Sequence, residues 1–343
     1  MEYLPLWSLC VHFKNRIFAE SQYLCGFARS AKKIPTALIT EFFGEIFYLP
    51  GLSYGAKVQK LRQYTEIILR RLLNYPCNSN IEIGNDRTIA DLDSRGFTEP
   101  LFRDSLERIR ATGNERNHTK YRRVATEEEY REILDSVFNL YGYLFYRYFK
   151  KWPFGTNTKV MSAFSCLPPI IRHITLTALY DDDPNNQVIV DKLVLAKLKA
   201  FDKDTADAWI EAHKESLLSM SVPADSDYLK KLISAVGEEA AVALVAAMPD
   251  NMYRVCKEKI QTVDAALDSK PLYSDFETAK NYYEKNGIVD GSSQEIAEFN
   301  DLMEFVYIGR RNKEREIAAI PEENYIISQI IVINPELWGL GNN

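Results

Sequence analysis

Cysteine is scarce in this 343-residue chain and carries no pattern. The five cysteines, Cys10, Cys25, Cys77, Cys166 and Cys256, are odd in number and form no Cys-x-x-Cys pair, which fits reduced thiols of a cytoplasmic protein better than a disulfide framework. Long apolar runs are also missing. No stretch approaches the ~20 residues a membrane helix requires, and the richest, 34–50, holds Glu41, Glu45 and two prolines. Nor does the start pair a basic region with a long apolar run, so no secretory signal is read there. The sequence contains no Gly-x-x-x-x-Gly-Lys-Ser/Thr phosphate loop, no His-Glu-x-x-His zinc helix and no Gly-x-Ser-x-Gly turn, which excludes hydrolases of those types. The acidic run from Asp181 begins like a calcium loop, but Asn186 replaces the turning glycine and Lys192 the bidentate glutamate. No metal and no cofactor is expected. Of only four histidines, His173 and His213 fall within predicted helices, where a lone histidine is structural, and His12 supports nothing firm.

What is present is an uneven distribution of charge. The net charge of −6 divides into +6 over residues 1–159 and −12 over 160–343, so the two parts should meet different partners. Nucleic acid, if bound, belongs to the first half, because duplex affinity comes mainly from cations neutralising phosphates.

Helical periodicity dominates the chain. Residues 1–56 read as a flanking segment with a helix over 36–48. The apolar residues Val58, Leu61, Ile68 and Leu72 predict a helix over 56–74, supported by an Arg62 to Glu66 pair. A loop follows over 76–87. The longest pattern, 126–151, starts at a Thr126/Glu129 capping box, and its aromatic end, 143–152, reads as buried against a neighbouring element or a dimer partner. Breakers at 153–158 mark a domain boundary. Beyond it, helices are predicted over 169–180, 188–201 and 205–220, with further starts at Ser274/Glu277 and Ser292/Glu295 and stops at Gly287 and Gly309. Residues 325–334 fit a strand or a buried terminal helix equally. The fold class is mainly α: a helical bundle over 57–152, then an acidic, all-helical C-terminal domain over 159–343.

The stretch 108–118 concentrates the chemistry. Within 103–123 seven cations face three acids, so an anion is the natural partner of this segment. A helix over 101–109 is expected to end at Gly113-Asn114, leaving His118 on a connection. Histidine can act as general acid or base near neutral pH, and arginine holds phosphate oxygens with a planar fork. Arg110, Asn114 and His118 are the candidate catalytic set. Arg108, Arg116, Lys120, Arg122 and Arg123 are the candidate nucleic-acid contacts.

The segment 57–151 resembles the HEPN superfamily, and within it the DUF4145-like branch. The likeness rests on Arg110, Gly113, Asn114 and His118 in an Arg-x-x-Gly-Asn-x-x-x-His pattern, on Arg62 and Glu66, on Ile89-Ala90-Asp91-Leu92, and on Arg95-Gly96-Phe97. It implies a short up-and-down bundle, commonly dimeric. Seven residues separate Arg110 from His118, the wider spacing of the DUF4145-like branch, where binding and regulatory roles stand beside metal-independent RNA cleavage. Two readings follow. The first is a non-catalytic module of a larger defence or regulatory assembly, with RNA at the basic half, a protein partner at the acidic half and a homodimer through the bundle. The alternative is a metal-independent endoribonuclease in which His118 moves the proton, Arg110 stabilises the phosphorane and Asn114 orients the pair.

Overall fold

The computed structural model describes residues 36–313 apart from 74, 77–78, 118–123, 223–232, 235–236, 242–248 and 270–274, together with all side chains except those of 36, 114–117 and 268–269 in the helices described. The protein is mainly α. Among the described residues the only β feature is an isolated bridge between Ser221 and Asn251. No described helix is long and apolar enough to cross a membrane. By mutual contact the chain divides into two compact units: the first runs to Trp152 and resumes over Tyr283–Lys313, and the second is built from Pro153–Tyr282. Residues 283–313 thus fall with the basic N-terminal unit and not with the acidic C-terminal part in which the sequence placed them.

The first unit opens with α1 (Thr36–Phe43), which runs into a π-helical turn, Gly44–Tyr48. The helix predicted from Ala56 is α2 (Tyr54–Leu72), begun one turn earlier by Ser53, whose hydroxyl accepts from the Ala56 N–H at 3.3 Å. A non-helical loop leads to α3 (Asp86–Ser94), capped by Asn85. Then come α4 (Pro100–Asn117) and α5 (Glu127–Lys151). The capping box at the start of α5 is formed in both directions, with Thr126 Oγ1 accepting from the Glu129 N–H at 3.2 Å and Glu129 Oε2 accepting from the Thr126 N–H at 2.8 Å.

The core of this unit lies where α2, α4 and α5 pack on one another. The hydroxyls of Tyr64 and Tyr141 meet at 2.5 Å inside it, and Phe97, Phe102 and Tyr143 form an aromatic cluster on another face of α5. Later in the chain, α13 (Gln294–Tyr307) covers another face of α5, placing Phe299 against Phe145 and Tyr148. Tyr143, Tyr146, Tyr148 and Phe149 are all buried. The apolar circumference of α5, from which a dimer was expected, is therefore covered by helices of the same chain. Glu298 of α13 is fully buried yet satisfied: Lys151 donates to it at 2.7 and 2.9 Å and the Trp152 indole at 2.7 Å. The N-cap of α13 is Ser293, one residue beyond the predicted Ser292, and its hydroxyl accepts from the Ile296 N–H. Gly309, with φ +77, follows the helix end as expected.

The second unit contains α6 (Thr158–Phe164), α7 (Pro169–Asp182), α8 (Gln187–Ala200), α9 (Lys203–Ala212), α10 (Lys214–Ser219) and α11 (Met252–Ser269). Helix α8 is apolar around most of its circumference and is accordingly central, packed by α7, α9 and α11. Val190, Val194, Leu198, Ile210, Leu217, Met252, Val255 and Ile260 are among the side chains of this core. The single helix predicted over 205–220 is instead two, because the backbone leaves helical geometry at His213 (φ −107, ψ 14). His213 lies at that joint, stacked on Trp209 with centroids 4.3 Å apart and its Nδ1 2.8 Å from the Trp209 carbonyl. His173, within α7, meets Phe201 edge-on, and burial pulls its imidazole down to about 4, so it is neutral at neutral pH. Both histidines have structural surroundings. Helix α12 (Phe276–Asn286) begins under an Asp275 cap, whose carboxylate accepts from the Thr278 N–H at 2.7 Å, and stops before Gly287; Ser274, the predicted start, lies outside the described residues. The same holds for the strand or helix anticipated over 325–334.

Candidate functional site

Helix α4 does not end at Gly113-Asn114. It continues to Asn117, and Gly113 is a buried interior position facing α2. A Cβ at Gly113 would come within 2.6 Å of Arg62 Cδ and within 3.4 Å of Arg62 Cγ. The glycine is used for close helix approach, letting the stem of Arg62 lie across α4, and not for the left-handed turn that sequence suggested. Arg62 also pairs with Glu66 at 3.8 Å, as its spacing predicted. Glu66 accepts a hydrogen bond from the backbone of Ile83, tying the loop between α2 and α3 to α2; burial raises its carboxyl despite the opposing charge of Arg62.

That loop carries Gly84 at φ +90, directly against Arg110. A side chain at position 84 would overlap Arg110 Cδ, so the absence of a Cβ makes room for the arginine. Arg110 in turn is held by its own helix: Nε donates to Glu107 Oε2 at 2.7 Å and Nη2 to Glu107 Oε1 at 2.5 Å. One edge of the guanidinium, its Nε and Nη2, is thus engaged, and the hydrogen bond from Arg110 lowers the Glu107 carboxyl, which stays ionised at neutral pH.

Arg110 and Glu107 border a cavity of about 240 Å³ between α2, the 81–85 loop, α3 and α4. Leu69, Ile83, Ile89, Leu92 and Leu106 supply its apolar lining, while Arg103, Asp104, Glu107 and Arg110 supply its charges. Arg103 is committed to the carboxylate of Asp93 and to the Phe97 carbonyl at 2.5 Å. Two cations and two acids thus share the lining, and the cavity does not carry the excess positive charge of a phosphate trap. Comparison with family models, curated proteins and solved structures finds no match for the chain.

Of the residues the sequence singled out, Arg110 is the one whose side chain the structure places at this cavity. Asn114 lies one turn further along α4, on the same side as Arg110, with its side chain outside the description, as is that of Arg116. His118, Lys120, Arg122 and Arg123 lie outside the described residues. Arg108 is exposed and acts on Asp135 of α5, whose carboxyl is raised by burial and partly brought back by the arginine's charge. Sequence reasoning missed Glu107, Arg103 and Gly84. The Glu107 to Arg110 pair was legible as an i,i+3 contact once both were assigned to one helix. Nothing local linked Gly84 to Arg110.

Proposed function

We propose that the first unit is a non-catalytic binding module of a larger assembly, and that its cavity receives an apolar side chain from a protein partner. The observation that carries this reading is the engagement of the Arg110 fork by Glu107 in a cavity whose lining charges balance. Stabilising a phosphorane at Arg110 would set an anion beside the carboxylates of Asp104 and Glu107, which line the same cavity, and that is electrostatically unfavourable. Size argues the same way: about 240 Å³ lies below the ~300–1,000 Å³ of typical small-molecule sites, and suits one inserted side chain better than a nucleotide.

The test is capture of a partner by the full-length chain in cells that express it naturally. Ile89 lines the cavity and is 38% exposed, so Ile89→Asp leaves the fold intact while placing a charge where the apolar side chain would sit. A protein retained by the wild type and lost by Ile89→Asp is the expected result. Retention by both, or capture of no protein, contradicts it.

The metal-independent ribonuclease reading, with Arg110, Asn114 and His118 as its residues, keeps one observation in its favour: a continuous α4 sets Arg110 and Asn114 one turn apart. That reading requires RNA cleavage that survives chelation of metal ions.

A further inference from the structure

The charges that line the cavity of the first unit are not equally free. Arg103 is taken up by the Asp93 carboxylate and the Phe97 carbonyl, and Arg110 by Glu107, whose two oxygens accept from its Nε and Nη2. Asp104 is different. It lines the cavity from α4, is exposed, and among the described residues forms no ion pair and no side-chain hydrogen bond. With the two arginines already matched, the Asp104 carboxylate is the charge of this lining that has no counterpart.

Helix α3 adds a second demand. Thr88 lines the same cavity and is 3% exposed, yet its hydroxyl has no hydrogen-bond partner among the described residues. The hydroxyls of Thr65 and Ser105 bond the carbonyls four residues back in their own helices, at 2.9 and 2.8 Å. Thr88 is the third residue of α3, so no helical turn precedes it to offer such a carbonyl. A wholly apolar occupant would close over this hydroxyl without bonding it and would take Asp104 partly out of water without a counter-charge, both of which oppose binding. An occupant that brings a basic group beside its apolar one supplies the positive charge and the N–H donors that the lining lacks. An acidic group there would instead face Asp104 and Glu107.

We infer that the partner segment received by this cavity carries a basic residue beside its aliphatic anchor: the aliphatic side chain sits among Leu69, Ile83, Ile89, Leu92 and Leu106, and the cation meets Asp104. This rests on the reading of the cavity as a site for a protein side chain, and adds the charge of what enters it. The experiment is selection of a phage-displayed random peptide library on the full-length protein, with counter-selection on Ile89→Asp, followed by fluorescence polarisation with the recovered peptides as synthetic probes. Peptides with Lys or Arg within about one helical turn of an aliphatic residue are expected. Replacing that basic residue by Gln should weaken binding about tenfold, the loss for one charge-assisted hydrogen bond. Asp104→Asn, a change at an exposed position that leaves the fold intact, should cost the same. The two losses should not add, because each removes the same contact. Peptides that need Ile89 but carry no basic residue, unchanged affinity in Asp104→Asn, or losses that add overturn this inference and leave the reading of the cavity in place. Recovery of no peptide that distinguishes the wild type from Ile89→Asp overturns that reading and this inference with it.

Discussion

Asp191→Leu should destabilise the second unit by about 3–5 kcal/mol, the usual cost of removing one member of a buried ion pair. Asp191 is fully buried, and it is the carboxylate that faces Lys259 and Lys192. Without it, the buried Lys259 ammonium must lose its proton or draw water into the core around α8, whereas Lys192, whose side chain is 24% exposed, can turn to solvent. The cost lies in the orphaned cation and not in the lost attraction, since a buried pair replaced whole by apolar side chains is often neutral or stabilising. The double variant Asp191→Leu/Lys259→Met should therefore recover at least half of the loss. Chemical denaturation of the wild type, both single variants and the double variant measures the coupling. Additive losses would show that the pair is not the unit of stability supposed here.

Gly84→Ala should cost about 2–3 kcal/mol, combining a left-handed backbone, which costs an L residue about 1–2 kcal/mol, with overlap against the stem of Arg110. Gly51 provides the control. Its φ is +80, close to the +90 of Gly84, but a Cβ there would have nothing within 4 Å. Gly51→Ala should accordingly show only the backbone part. Adding Arg110→Ala to Gly84→Ala should return the difference, because the overlap disappears with the arginine side chain. Equal losses at positions 51 and 84 would mean that Arg110 is not packed over the loop.

Much of the fold was legible because its signals are local. Ser53, Thr126, Asn186 and Asp202 all cap helices near where apolar periodicity began, and each hydroxyl, amide or carboxylate needs only an N–H two or three residues away. The departures have non-local causes. A glycine in a helical pattern can close a helix or admit a neighbour, and at Gly113 the choice was made by Arg62, 51 positions earlier in the chain. Residues 283–313 could not be assigned to the first unit from composition, because their place depends on Phe299 meeting Phe145 and Tyr148, and on Asp301 pairing with Arg71 at 2.5 Å. The site divides in the same way. Arg110 stood out by its basic neighbourhood and Glu107 was reachable by helical spacing, whereas Gly84 and the apolar lining from α2 and α3 enter only through tertiary packing. In the second unit Lys192 was noticed only as the residue in place of a calcium loop's glutamate, and the burial of Asp191 beside it comes from the packing of α7, α9 and α11 on α8.

The central claim, that Arg110 is a structural member of a binding cavity and not part of a catalytic pair, is tested most directly by incubating the full-length protein with labelled RNAs in EDTA, beside Arg110→Ala and His118→Ala. General acid-base catalysis by a histidine contributes about 10²–10⁴-fold, so a genuine activity would fall by that factor in His118→Ala. The predicted result is that wild type and both variants leave the RNAs equally intact. Cleavage by the wild type in EDTA that is lost in His118→Ala and Arg110→Ala would contradict the account and establish the ribonuclease reading in its place.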